Sequence, residues 1–328
     1  MLPPNATEPP APKLSVVIVS WNVRALLQRA IRSIRQSWKE NGALEIIVVD
    51  NDSDDGTVAM VETQFPDVQL IANAYNAGFT GGNNQGIRAS RGELILLLNP
   101  DTEIKDKALQ KMVNYLEDHP DVGLVGPQLL NPDGTRQSSR RRFPTIPILF
   151  LESTWSQPLA PKRLLARYYV EERSAQETQL VDWVTGAAMM IRRRVVDSVG
   201  PLDESFFMYS EELDWCRRIK DAGWDIVYLP EAAIVHHEGK SSEQVIPARH
   251  VYFQSSKIHY AEKYHGRWLG LALRGWIMVQ YLWQTVVEGL KWLIGHRRAL
   301  RASRIRAYWQ VIRSGLSQKG PINDDATN

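Results

Sequence analysis

Oxygen-bearing side chains follow an apolar run of this sequence at the point where a buried strand would end. Asp101 comes directly after the run Leu94–Leu98 and the turn-forming pair Asn99-Pro100. A carboxylate at the carboxyl end of such a strand lies where open α/β sheets bind ligands, and its oxygens suit the Mg²⁺ or Mn²⁺ ion of a nucleotide diphosphate. The alternative is that Asp101 caps a helix that begins near Lys105.

Two earlier strands are predicted to end in the same way. Leu14–Val19 and Leu44–Val49 are apolar runs that alternate with helical patterns, which is typical of an α/β fold with a mostly parallel sheet. The polar residues that follow these runs are Ser20, Asn22, Asp50 and Asn51. Because parallel strands end at the same edge of a sheet, the sequence predicts one polar cleft, in which Asp50 accepts a hydrogen bond from a base or a ribose.

A segment rich in glycine and asparagine, residues 78–86, opens a further predicted helix. Its backbone N–H groups could approach a phosphate group. The alternative is a turn whose glycines adopt positive φ angles. The segment lacks the G-x-G-x-x-G spacing and follows the third strand, which argues against a dinucleotide-binding fingerprint.

Three carboxylates lie close together at Glu211, Glu212 and Asp214. Ser210 is a candidate N-cap, and a helix dipole favours acids in the first turn, so capping accounts for two of the three. Neighbouring carboxylates also push their pKa values apart, as a general base needs. The cluster therefore indicates acid–base catalysis.

The pair His236-His237 follows the last predicted apolar stretch. Asp225–Tyr228 is predicted to be a strand that Pro230 ends, and the histidines come after a further short apolar segment. In a chain that carries a metal-suited aspartate, one of the two histidines is a candidate metal ligand, and a structural role is the alternative.

The composition narrows the class of protein. The 328 residues suffice for one large domain or two smaller ones, and 44% of them are hydrophobic. A net charge of +2 argues against a nucleic-acid partner. Cys216 is the single cysteine, so no intrachain disulfide can form. Residues 1–13 lack the apolar run of a signal peptide, and we expect the body of the protein in the cytoplasm.

Residues 267–295 combine tryptophans with an apolar pattern that polar residues interrupt, which predicts an amphipathic helix rather than a membrane span. One face is polar and comprises Gln280, Gln284, Glu288 and Lys291. The other face is apolar and comprises Val279, Leu282, Trp283, Val286, Leu290 and Leu293. Arginines follow at 297–306, and this combination suits an anionic membrane surface. The alternative is that the helix packs on the domain or on another subunit of an oligomer.

Together these motifs resemble those of family 2 glycosyltransferases with a GT-A fold, in particular the rhamnosyltransferase-like branch that builds bacterial cell-surface polysaccharides. The similarity covers about residues 13–240 and follows the family's order of motifs. The matching segments are Val16–Asn22, Ile46–Thr57, Asn76–Gly86, Leu96–Thr102, Gly186–Arg193, Phe206–Trp224 and Val227–His237.

The resemblance implies which residues bind the donor and the metal. The residues implied to hold the nucleotide sugar are Ser20, Asn22, Asp50, Asn51, Gly78, Asn83, Asn99 and Asp101. Asp101 and His236 are implied to bind Mg²⁺ or Mn²⁺. Asn99 stands where the family's Asp-x-Asp motif has its first aspartate, so this position brings no charge.

The resemblance also implies a base and an acceptor site. Glu212 stands where the family has its catalytic base, an aspartate, and Glu211 and Asp214 are alternatives because Glu is one methylene longer. The residues implied to face the acceptor are Trp183, Thr185 and Gly186.

The implied activity is transfer of a sugar, with inversion, from a dTDP-rhamnose-like or UDP-sugar donor to a glycan or lipid-linked acceptor at the inner face of the cell membrane. The expected organisation is a disordered leader (1–13), a nucleotide-sugar half (14–126), an acceptor-binding half of the same domain (127–250), a membrane-associating helical region (251–314) and a disordered tail (315–328).

The alternatives to glycosyl transfer are a sugar nucleotidyltransferase and a non-catalytic carbohydrate- or membrane-binding protein. The absence of a glycine-rich loop after the first strand counts against the nucleotidyltransferase.

Overall fold

A computed structural model describes residues 11–38, 43–237 and 246–317. The leader residues 1–10 and the tail residues 318–328, which we expect to be disordered, lie outside these ranges.

The strands are β1 (Leu14–Ser20), β2 (Leu44–Asp50), β3 (Gln69–Ala72), β4 (Leu94–Leu98), β5 (Thr102–Ile104), β6 (Val122–Leu130), β7 (Arg140–Arg141), β8 (Gln179–Leu180), β9 (Trp183–Val184), β10 (Ala188–Arg192) and β11 (Asp225–His236). The helices are α1 (Arg24–Ser37), α2 (Thr57–Gln64), α3 (Gly78–Ala89), α4 (Ala108–Asp118), α5 (Ile146–Leu151), α6 (Lys162–Tyr168), α7 (Arg193–Val199), α8 (Glu211–Asp221), α9 (Ile246–His265), α10 (Arg267–Leu293) and α11 (Arg298–Ser314).

A nine-stranded mixed sheet forms the centre of the molecule, and the predicted α/β fold is confirmed. The strand order is β3-β2-β1-β4-β10-β6-β11-β5, with β8 attached to β11. Strands β1 to β4 are parallel, and Ser20 lies opposite Asp50 across β1 and β2. Ile18 of β1 lies opposite Leu98, the last residue of β4. The polar residues that follow these strands therefore share one edge of the sheet, as predicted.

Helices cover both faces of the sheet because each strand of its centre is apolar on both sides. On one face pack α1, α2 and α4, and Leu27, Ile31 and Ile34 of α1 are fully buried at the helical spacing that the sequence shows. The other face carries α3, α7, α8 and the C-terminal helices, with Trp215 of α8 fully buried.

Helix α3 packs unusually close to β1, and this contact explains its glycines. A Cβ atom added to Gly82 would lie 2.8 Å from the side chain of Val19, and one added to Gly86 would lie 2.2 Å from Val17. The helix begins at Gly78 itself, so residues 78–86 are helical and do not open as a loop, and Gly78 is the residue of this segment with a positive φ, +76°. Close packing is thus a role for Gly82 and Gly86 that neither interpretation of the sequence included.

Strand β11 runs past Pro230, so the prediction that the strand ends there is wrong. Its pairing with β6 shifts register between Leu229 and Ala233, and the strand then continues to His236. The shift accommodates the proline, which cannot donate a backbone hydrogen bond. Beyond the shift, β11 pairs with β5, and His236 lies opposite Thr102.

The C-terminal helices α9, α10 and α11 pack on one another and on the helical face beside α8. The polar stripe of α10 points inward: Gln280 and Glu288 are each 5% exposed, and Glu288 Oε2 accepts a hydrogen bond of 2.7 Å from Arg301. The apolar stripe points outward, with Leu290 59% and Leu293 65% exposed. None of the helices in the described ranges is apolar enough over a sufficient length to cross a bilayer.

Candidate active site

The ends of β1 and β2 place two buried oxygen-bearing side chains opposite one another. Ser20 and Asp50 are almost completely buried, yet Ser20 Oγ and Asp50 Oδ1 have no hydrogen-bond partner within the described ranges. Asp50 Oδ2 accepts a hydrogen bond of 2.9 Å from the backbone N–H of Ser53, which fixes the carboxylate. Buried polar atoms are normally paired, so these two oxygens are available to a ligand.

Asn22 and Asn51 shape the walls of this pocket. Asn22 adopts a positive φ of 52°, and its side-chain oxygen accepts a hydrogen bond of 2.9 Å from the backbone of Asp54. Asn51 donates a hydrogen bond of 3.0 Å to the carbonyl of Gly78, which ties β2 to the start of α3. The side chain of Asn83 donates to Phe79 O within α3. Asn83 therefore stabilises its own helix in this structure.

The metal-suited residues come together at the other side of the cleft. Asp101 Oδ1 lies 3.4 Å from Nε2 of His236, and Asn99 Nδ2 lies 3.5 Å from the same nitrogen. His237, in contrast, turns away and its Nε2 lies 2.8 Å from Glu103. Of the two histidines, His236 is therefore the one that faces Asp101.

Gln137 determines which nitrogen of His236 carries the proton. The Gln137 amide nitrogen donates to Asn131 Oδ1 (2.8 Å) and to the carbonyl of His236 (2.7 Å), so its oxygen must face the ring. That oxygen lies 2.9 Å from Nδ1 and accepts its proton. In the neutral imidazole Nε2 then carries the lone pair, which is the form in which a histidine binds a cation.

The donor set fits a divalent cation that a diphosphate helps to hold. Asp101 supplies a carboxylate and His236 a neutral nitrogen, while the buried carbonyl oxygen of Asn99 has no hydrogen-bond partner in the described part of the chain. No group of three His, Cys, Asp or Glu side chains in those ranges could enclose a metal without other ligands. Mg²⁺ and Mn²⁺ often rely on one or two protein ligands plus substrate phosphates.

The acid cluster begins α8 in a strained conformation. Tyr209 and Ser210 adopt φ angles of 68° and 64°. Ser210 occupies the N-cap position, as predicted, but its side chain makes no capping hydrogen bond. Two successive left-handed residues that are not glycine cost on the order of 1 kcal/mol each and typically occur at functional sites. This backbone turns Glu211 and Glu212 towards the protein interior.

Burial changes the proton affinity of both glutamates. It raises the pKa of Glu211 well above its usual value, and the neighbouring Glu212 raises it further. Burial also raises the pKa of Glu212, while backbone N–H groups, that of Gly186 among them, and the Arg141 guanidinium oppose the rise. Glu212 Oε2 has no hydrogen-bond partner among the described residues. Of the two, Glu212 lines a cavity.

Asp214 is placed differently from the two glutamates. Its side chain is fully buried, and Oδ2 accepts a hydrogen bond of 2.9 Å from Arg218. Oδ1 accepts hydrogen bonds from Tyr264 (2.8 Å) and lies 2.6 Å from Lys263 Nζ. Since both oxygens are occupied, this geometry suits a structural charge pair that anchors α9 to α8.

The cavity beside Glu212 has a volume of about 170 Å³ and contains the predicted acceptor residue Trp183. Gly186 lies against the Glu212 side chain, because a Cβ atom there would lie 3.6 Å from Glu212 Cβ. The hydroxyl of Thr185 is buried and has no partner in the described ranges. Ala187, which follows Gly186, accepts a hydrogen bond of 2.9 Å from the backbone N–H of Asn99, so this segment is joined to the turn after β4.

Sequence reasoning missed Gln137, Arg141 and Lys257. Arg141 stacks its guanidinium on Trp183 (5.8 Å to the ring centroid) and lines the cavity with Lys257. Lys257 Nζ donates to Glu152 O at 2.6 Å, and burial lowers its pKa to about 8. Gln137 and Arg141 lie in a basic, serine-rich segment without a local signal for their roles.

Comparison with known proteins places this chain in a family. The profile described as "Glycosyl transferase family 2" matches residues 15–200. The N-acetylglucosaminyl-diphospho-decaprenol L-rhamnosyltransferase of Mycobacterium tuberculosis H37Rv is 28% identical over 81% of this chain and 93% of its own length. The low-salt glycan biosynthesis hexosyltransferase Agl10 of Haloferax volcanii is 26% identical, over 84% and 86% of the two chains.

A solved structure supports the GT-A fold. The mannosyltransferase PcManGT of Pyrobaculum calidifontis, in complex with GDP-Man and Mn²⁺, superposes with a TM-score of 0.55 at 17% identity and covers 93% of this chain and 85% of the other. The family profile matches more than half of the 328 residues. The chain belongs to glycosyltransferase family 2, has the GT-A fold and is similar to L-rhamnosyltransferases.

Proposed function

We propose that this glycosyltransferase uses a nucleotide-sugar donor, dTDP-rhamnose-like or a UDP-sugar, and transfers the sugar with inversion to a hydroxyl of a lipid-linked or glycan acceptor. The observation that carries this proposal is the unpartnered Oε2 of Glu212, a side chain that lines a cavity together with Trp183. In this arrangement residues 14–126 hold the nucleotide and residues 127–250 hold the acceptor.

Glu212 acts as the general base. Its Oε2 takes the proton of the acceptor hydroxyl, whose oxygen attacks the anomeric carbon from the face opposite the nucleoside diphosphate. The bond from the anomeric carbon to the diphosphate oxygen breaks, and the nucleoside diphosphate leaves with the electron pair. A single displacement of this kind inverts the configuration, so the proposal fixes the stereochemical outcome.

The donor contacts the strand ends. Asp50 and Ser20 offer unpaired oxygens to the nucleoside, with Asn22, Asn51 and Gly78 forming the walls of the pocket. Asp101 and His236 are the residues that would hold Mg²⁺ or Mn²⁺. Such an ion supplies positive charge that stabilises the diphosphate as it leaves.

The proposed acceptor is a diphosphate-linked lipid at the inner face of the cell membrane. The name of the mycobacterial relative describes such an acceptor. The exposed apolar stripe of α10, together with the exposed Arg298 and Arg306 of α11, suits an anionic bilayer surface. The alternative is that a second subunit of an oligomer packs on this stripe.

Calorimetric titration with UDP, dTDP and GDP, each with and without Mn²⁺, tests the donor site. We expect Mn²⁺-dependent binding of one nucleotide, and the matching nucleotide sugar should then label a prenyl-diphosphate N-acetylglucosamine acceptor with inverted anomeric configuration, measured by NMR. Retained configuration, or no nucleotide binding by folded protein, would reject the proposal.

A further inference from the structure

A second and larger cavity, of about 640 Å³, lies between α9, α10, α11 and residues 153–155. This volume lies in the range of cavities that bind small molecules. The polar and aromatic residues that line it include Arg249, Gln254, Gln280, Tyr281, Gln284 and Tyr308. No carboxylate of the described ranges lines it, so its charge is positive.

The buried amides in this cavity are only partly hydrogen-bonded. Gln254 is 5% exposed, and its carbonyl oxygen accepts no hydrogen bond from any described residue. Gln280 is equally buried, and its amide nitrogen reaches Ser156 Oγ only at 3.5 Å. Because a buried unpaired polar atom is costly, a ligand hydroxyl that donates to the Gln254 oxygen and a phosphate oxygen that accepts from the Gln280 nitrogen would complete these hydrogen bonds.

Arg249 supplies the charge. Within the described ranges no carboxylate lies at ion-pair distance from Arg249, which lines the large cavity. The carboxylate of Glu152, in the neighbouring cavity, pairs with Lys257 instead. An unpaired guanidinium prefers a phosphate or carboxylate group, which it can bind through two parallel hydrogen bonds. The cavity therefore matches an anionic ligand that also carries hydroxyl groups.

The position of the cavity indicates which anionic ligand would bind in it. Ser153 and Phe253 line both this cavity and the one that contains Glu212, so the two are adjacent. At the opposite side, Trp155 lines the large cavity and its ring centroid lies 6.5 Å from that of Trp283. Trp283 is 53% exposed on the apolar stripe of α10.

We infer that the large cavity binds the diphosphate group of the acceptor lipid, with the acceptor sugar directed to Glu212 and the hydrocarbon chain directed to Trp283. This inference rests on the proposed function, because it assigns a subsite to the proposed acceptor. Arg249 binds the diphosphate, and Gln280 and Gln284 donate hydrogen bonds to its oxygens.

Direct binding tests the subsite without requiring transfer. The probes are N-acetylglucosamine linked through a diphosphate to a farnesyl chain, and octyl N-acetylglucosaminide, which has no diphosphate. By calorimetry we expect Arg249→Ala to weaken binding of the diphosphate probe at least tenfold and to leave binding of the octyl glycoside unchanged. Gln284→Leu should weaken binding of the diphosphate probe several-fold.

Arg32→Ala is the matched control, since Arg32 is exposed on α1. Thermal unfolding checks that each variant is folded. If the wild-type protein does not bind the diphosphate probe, or if Arg249→Ala binds it as tightly as the wild type, the inference is overturned. Binding of the probe without any sugar transfer would instead reject the proposed function and retain the subsite.

Discussion

Gln137 and His236 are joined by a hydrogen bond of 2.9 Å between Oε1 and Nδ1, although 99 residues separate them in the sequence. The amide nitrogen of Gln137 donates to Asn131 Oδ1 and to the His236 carbonyl, so the amide oxygen faces the ring and Nδ1 is the donor of this bond. It holds the Nε2 lone pair of His236 towards Asp101 before any ligand arrives. A site organised in advance loses less entropy when it binds a cation and a diphosphate.

Gln137→Leu should therefore weaken Mn²⁺-dependent nucleotide binding by about tenfold, the lower end of the usual effect of such supporting contacts. Calorimetric titration of the nucleotide with and without Mn²⁺ measures this effect. Gln64→Leu, at the exposed end of α2, is the control. An unchanged Mn²⁺-dependent affinity in a folded Gln137→Leu protein would contradict the proposed role of Gln137.

Glu212→Gln should reduce the transfer rate by at least about a thousandfold, because an amide cannot accept the proton of the acceptor hydroxyl. Nucleotide affinity should stay within a factor of about two, since Glu212 lines the acceptor cavity and not the strand ends. Single-turnover transfer and nucleotide titration separate these effects. Glu211→Gln is the comparison, and a larger loss of rate there than in Glu212→Gln would reassign the base.

The transfer rate should rise with pH through the pKa of Glu212, because the base acts in its unprotonated form. Burial sets this pKa above the usual value, and the Arg141 guanidinium lowers it. Arg141→Met removes the stabilising charge, so the pKa rises and the acid limb of the pH profile should move to higher pH. Arg142→Met is the control, since Arg142 pairs with Glu172 instead. An acid limb that does not move would show that Arg141 does not influence the base.

Asp214→Asn should act on stability. Its buried carboxylate pairs with Arg218 and Lys263, and removing one partner of a buried pair typically costs about 3 kcal/mol in the free energy of unfolding. Urea unfolding measures this quantity. The matched control is Asp221→Asn, which breaks an exposed pair with Arg217 and should cost less than about 1 kcal/mol. Equal costs in the two variants would contradict the anchoring role of Asp214.

The exposed stripe of α10 should bind anionic vesicles. Replacing both Trp283 and Leu290 by serine should weaken binding to phosphatidylglycerol vesicles about a hundredfold, because each side chain contributes roughly 1.5 kcal/mol when it leaves water. Co-sedimentation measures the bound fraction. Tyr75→Ser is the control, because Tyr75 is an exposed aromatic residue that is not part of α10. If the double variant still binds vesicles while losing a dimer on size-exclusion chromatography, the stripe is an oligomer contact.

Local pattern was enough to predict the parallel strands and the polar residues after them. Apolar runs such as Leu94–Leu98 form buried strands because their side chains leave water when the chain folds. In a parallel sheet the residues that follow such strands lie at the same edge. Ser20, Asp50 and Asp101 could thus be placed together from the sequence. The same reasoning recognised that α10 has a polar and an apolar face.

Contacts between distant segments decided the rest. The register shift in β11 past Pro230 made His236, and not His237, face Asp101, and it brought Gln137 to the ring. Periodicity shows that a helix has two faces but not which one is buried. The polar face of α10 is buried here because Arg301 of α11 neutralises Glu288 and because Gln280 borders a polar cavity. Such pairings depend on the geometry of the whole fold, which no local stretch of sequence contains.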